Sequence, residues 1–260
     1  MEGQHTLRII LEQNGMINLF SVAFAILLYI RTHRGFIEIL LIFTCISSFI
    51  ADILLIFTDG PSNIIINDIT SVRIMTFFEV LLWTIRELGL TLYTNKLIKI
   101  LDHCRYEKKY YYGYNCMFTL IGIWRLFGSG WRTYDRTSKV INIGNYVYLG
   151  ALSIIDLWSS IYLLKLSFKI LNVLNPEFNT YKLINEIIYS GVLRIVFINF
   201  IPLIRLIVDL TIISVFNYQN DVSIIVYYLQ VSMNLMYLID LSIIKIEGNN
   251  IFKSANGNTF

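Results

Sequence analysis

The sequence predicts an all-α protein: a bundle of seven transmembrane helices, N-terminus outside and C-terminus inside. Three observations predict it. The 260 residues are 56% apolar and only 15% charged, whereas a soluble domain carries about 25% charged residues. Mean hydropathy is +0.62. The apolar residues also gather into runs of about 20, the length a helix needs to cross the hydrocarbon core. These runs are continuous and lack the ten-residue alternation of a membrane barrel. The same figures argue against a disordered chain, a disulfide scaffold, an ordinary soluble enzyme and a nucleic-acid-binding domain.

Seven segments qualify as spans, taken in order at about 15–31, 36–57, 73–95, 114–131, 143–165, 183–216 and 222–245. The first follows a polar stretch, MEGQHTLRIILEQN, that has neither the basic start nor the small-residue cleavage site of a signal peptide. The first span therefore acts as the anchor. The fourth is the weakest, because Arg125 and several glycines interrupt it. The sixth holds Pro202. Three regions result: an extracellular N-terminus (1–14), a seven-helix domain (15–245) and a flexible cytoplasmic tail (246–260).

Orientation follows the Lys/Arg bias of the connecting segments. With the N-terminus outside, twelve basic residues fall on inner segments, among them Lys96, Lys99, Arg105, Lys108, Lys109, Lys165, Lys169 and Lys182. Five fall outside: Arg8, Arg73, Arg132, Arg136 and Lys139. The loop after the fourth span is the exception to the rule. The basic, tyrosine-rich third-to-fourth loop is an ordinary inner loop or a docking patch for a cytosolic signalling protein or anionic lipid.

Cys45, Cys104 and Cys116 lie outside the outer loops, and His5, His33 and His103 are scattered. That spacing offers no metal site. No cofactor motif or nucleophile motif appears, so neither a cofactor nor an enzymatic activity is expected.

Charges in hydrocarbon are expensive and face the bundle interior. Nine of the charges within spans stand out. By depth, Asp52, Glu79, Arg205 and Asp209 lie toward the outer side, where they can form a neutralising cluster or line a ligand pocket. Arg205 and Asp209 are four residues apart and share a helix face. Arg86, Glu87 and Asp156 lie near mid-membrane, with Asp156 at a suitable level for Arg86. Arg194 and Asp240 lie toward the inner side at matching levels. These sets either fix helix order or form a ligand pocket and a switch. In the sixth span, Pro202 removes a backbone hydrogen bond, which makes Asn199, Phe200 and Pro202 a candidate hinge.

Seven spans, short loops and Asn199-Phe200-Ile201-Pro202 resemble the G-protein-coupled-receptor-like architecture. The four-residue segment is similar to a degenerate Cys-Trp-x-Pro toggle of rhodopsin-like receptors. Ala51-Asp52 resembles their second-helix Ala-Asp pair, and Asn234 and Tyr237 faintly resemble Asn-Pro-x-x-Tyr. The third span ends in Thr91-Leu92-Tyr93-Thr94-Asn95-Lys96 in place of Asp/Glu-Arg-Tyr. The isoleucine- and asparagine-rich style also resembles that of seven-helix proteins of some fungi. The resemblance implies a receptor-like membrane protein that binds an unknown ligand and signals by helix rearrangement. The alternatives are a small transporter or channel using the buried charges, or a non-catalytic membrane scaffold. Partners are the bilayer, the ligand and a cytosolic protein, with no nucleic acid.

Overall fold

Long apolar runs, of which the sixth alone holds a proline, leave the backbone one low-energy option in oil, the helix, which satisfies its amides internally. The computed structural model describes residues 2–31, 35–59, 69–101, 108–134, 139–173, 179–208, 210–211, 228–243 and 245. Among them the chain is all-helical. They form six helices, α1 (Glu2–Arg31), α2 (Phe36–Asp59), α3 (Ile69–Leu101), α4 (Lys108–Tyr134), α5 (Lys139–Val173) and α6 (Asn179–Val208). A seventh, α7, covers residues 228–243. Asp209, most of the third-to-fourth loop and the 246–260 tail lie outside the described residues.

The helices outrun the apolar segments. α1 starts at Glu2 rather than near residue 15. α3 has 33 residues and α5 has 35, so each is about 50 Å long, well beyond a hydrocarbon core of about 30 Å. Hydropathy marks where oil would end, whereas backbone hydrogen bonding continues until a turn residue stops it. Among the described residues, four helices are long and apolar enough to cross a membrane: α1 over Gln13–Arg31, α2 over Phe36–Thr58, α5 over Ile143–Lys169 and α6 over Gly191–Val208.

Neighbouring contacts fix the helix directions. Thr58 meets Glu79 and Lys96 meets the Phe36 ring, so α2 and α3 are antiparallel. Trp124 meets Gly144 and Tyr110 meets Ser159, which makes α4 and α5 antiparallel. α1, α3 and α7 run together, since Gln13 and Asn18 reach Tyr228 and Asn234 and Glu87 and Thr94 reach Gln230 and Tyr237, while α6 runs opposite to α7 through Arg194–Asp240 and Asn199–Tyr237. The C-terminal ends of α2, α4 and α6 thus share one end of the bundle. At the α2–α3 crossing, a Cβ on Gly89 would collide with Thr44 Cγ2, so glycine is what permits the approach.

Burial is inverted relative to a water-soluble protein. Asn18, Asp52, Arg86, Asn199 and Asn234 are fully buried, while Phe20, Ile30, Phe127 and Phe197 are each about 70% exposed. An apolar core exists as well, through Leu41, Cys45, Tyr93, Leu163 and Ile195. The polar groups sit inside it.

Candidate functional site

α3 organises the interior. Glu79, Trp83 and Glu87 recur every four residues and share one face. That face borders a cavity of about 210 Å³ at the end where α2, α4 and α6 terminate. Leu55 and Val80 supply apolar wall, and Arg125, Arg132 and Arg205 come in from α4 and α6. Three arginines and two glutamates leave the lining with one net positive charge.

The glutamates are held from behind. Glu79 Oε2 accepts a hydrogen bond from Thr58 Oγ1 at 3.2 Å. Glu87 accepts from the Tyr148 hydroxyl at 2.7 Å and from Gln230 Nε2 at 3.1 Å. Tyr148 couples this carboxylate to an arginine, because Arg125 Cζ lies 4.4 Å from the centre of its ring. Arg125 Nη1 in turn donates to Asn145 Oδ1 at 2.5 Å.

Of the four residues expected at the outer side, Glu79 and Arg205 meet at this cavity. Asp52 has a different address. It is fully buried and accepts from Asn18 Nδ2 on α1, and Asn18 Oδ1 accepts from Asn234 Nδ2 on α7 at 3.3 Å. Asp209 lies outside the described residues. Glu87, expected deeper, belongs to the cavity. Arg125 and Arg132 were absent from the expected site. Their signal was legible, since one weakens the fourth span and the other breaks the positive-inside pattern.

No protein-family model matches the chain, and no curated protein matches it.

The remaining charges form an interior network. Arg86 Nη2 donates to the Gln230 carbonyl, and its guanidinium lies 4.8 Å from the Trp83 ring centre. Asp156 is buried, and its Oδ1 has no hydrogen-bond partner among the described residues, while Thr91 Oγ1 donates to the Glu87 carbonyl at 3.2 Å. Arg194 Nε and Asp240 Oδ1 form an ion pair at 2.8 Å, with the Tyr93 hydroxyl 3.5 Å from Asp240 Oδ2. Lys245 pairs with Glu38, a tie the sequence did not suggest. One turn before Pro202, Asn199 donates to Ser160 Oγ at 2.9 Å and accepts from the Tyr237 hydroxyl at 2.6 Å. Phe200 is 38% exposed and lies on the outer face. The interior polar side chain of the candidate hinge is therefore Asn199, with Pro202 also buried. Among the described residues, no three His, Cys, Asp or Glu side chains are grouped as a metal would require.

Proposed function

We propose that this chain is a multi-pass membrane protein of receptor-like type that binds a small anionic ligand in the α3–α4–α6 cavity. The observation that carries the proposal is a partly enclosed cavity with three arginines and two glutamates, inside a bundle whose outer surface is apolar. Arginine presents paired N–H donors that match carboxylate and phosphate oxygens. With the N-terminus outside, as the Lys/Arg bias suggests, the cavity opens to the outer face and the opposite end meets a cytosolic partner.

Signalling requires that the ligand prefer one helix arrangement. An anion at Arg125 competes with the Tyr148–Glu87 linkage, and Glu87 reaches α7 through Gln230. Binding at α4 thereby alters contacts between α3, α5 and α7. Asn199 bridges α5 and α7 next to Pro202, so the rearrangement reaches α6.

The test uses the full chain in phosphatidylcholine nanodiscs with glycerol 3-phosphate as probe. The expected result is a rise in thermal midpoint that glycerol does not reproduce. Arg205→Ala should weaken binding by about tenfold or more, the loss of one charge-assisted contact. An equal response to glycerol, or none to either compound, defeats the proposal.

One observation favours transport instead: buried polar groups continue from Glu87 through Asp156, Tyr237 and Asn199 to Asp240. Ion flux in liposomes that fails in Asp156→Asn would select that activity.

A further inference from the structure

Arg125 lines two cavities. Besides the charged one, it borders a cleft of about 110 Å³ between α4 and α5, walled by Trp124, Phe127, Trp131 and Asn145 and floored by Gly128 and Gly144. The two indoles and Phe127 are half to three-quarters exposed, so the cleft opens on the apolar outer surface of the bundle. Trp124 Nε1 donates to the Gly144 carbonyl at 3.2 Å, which holds one indole across the seam between the helices.

The glycines are informative. A Cβ at Gly89 or Gly113 would collide with a neighbouring side chain, whereas a Cβ at Gly128 or Gly144 would meet nothing within 4 Å. Glycine weakens a helix, and at these two positions no close helix contact accounts for it. What their missing side chains leave is open groove. Arg125 Nε, buried in the groove wall, has no hydrogen-bond partner.

A charged cavity that adjoins an apolar lateral cleft at one arginine matches an amphiphile. We propose that the ligand is a single-chain phosphate-bearing lipid, its headgroup among Arg125, Arg132 and Arg205 and its acyl chain leaving sideways between α4 and α5 over Gly128 and Gly144. This rests on the anion site above. The cleft has about half the volume of the charged cavity, which suits one chain rather than two. Lateral entry keeps the chain in hydrocarbon throughout and exposes no apolar surface to water. The bilayer side already solvates the chain, so discrimination falls to the headgroup: the arginines select phosphate over a neutral or zwitterionic head.

The experiment uses the full chain in phosphatidylcholine nanodiscs and a lysophosphatidate with a diazirine in its acyl chain. Photocrosslinks are expected within residues 124–131. Excess unlabelled lysophosphatidate should remove them, and excess lysophosphatidylcholine should not. Gly128→Leu and Gly144→Leu, made separately, fill the cleft from opposite helices. Each should lower crosslinking by about tenfold while glycerol 3-phosphate affinity stays within about twofold, which also reports that the variant is folded. Crosslinks spread evenly around the bundle, or unchanged in both glycine variants, overturn the lipid assignment while glycerol 3-phosphate binding leaves the anion site standing. Loss of binding for both probes in the unmodified protein overturns both.

Discussion

At the end of the bundle where α2, α4 and α6 terminate, Glu79, Glu87, Arg125, Arg132 and Arg205 surround a cavity of about 210 Å³. Toward the opposite end, Arg194 meets Asp240 at 2.8 Å and Lys245 meets Glu38. Both regions solve the same problem, since an ion out of water must be neutralised. In one the opposite charges are in direct contact, and their positions define helix order. In the other, charges of both signs line an open cavity, which on the proposed function leaves room for an added anion to join the neutralisation. On the proposed function, the contrast separates groups whose loss is expected to unfold the protein from groups whose loss is expected to alter binding.

The largest effect is expected at the closed end. Asp240→Ala removes the carboxylate that pairs with the part-exposed Arg194 and should destabilise the bundle by about 3 kcal/mol, measured by denaturant unfolding in detergent. Arg194→Ala combined with Asp240→Ala should recover at least about 1 kcal/mol of that loss. Strict additivity would show that the pair is not coupled. Next is Asn199→Ala between the two regions. It removes hydrogen bonds to Ser160 and Tyr237, at about 1 kcal/mol each, so a cost near 2 kcal/mol is expected. The smallest stability effect belongs to the open end. Glu79→Gln keeps a group that can accept from Thr58 and should change stability by less than about 1 kcal/mol. It should still tighten glycerol 3-phosphate binding by about threefold, because one negative charge leaves the lining. A weaker interaction in that variant would mean that Glu79 contacts the ligand itself.

Helix locations and the inward facing of ions were legible in the sequence, because both follow from transfer free energies that add along the chain. Glu79 and Arg205, expected at one level, both line the cavity. Depth does not give azimuth. Asp52, expected at a comparable level, accepts from Asn18 on α1 and does not line that cavity. Arg125 illustrates the converse. Along the chain it only lowers the hydropathy of one span, and in space it stands where two cavities adjoin. Phe200 follows the same logic, since the motif it resembles places an aromatic ring inside, while here the interior position is taken by Asn199.

The amino-acid order alone determined that the chain is helical, that its long apolar runs suit a hydrocarbon solvent, and that its few embedded ions turn away from that solvent. Tertiary structure decided which ions meet and which enclose space. The physical reason is that helix formation and partitioning depend on neighbours a few residues away, whereas rotation about each helix axis is set by packing between segments far apart in the chain, such as Gly89 against Thr44 and Glu87 against Gln230.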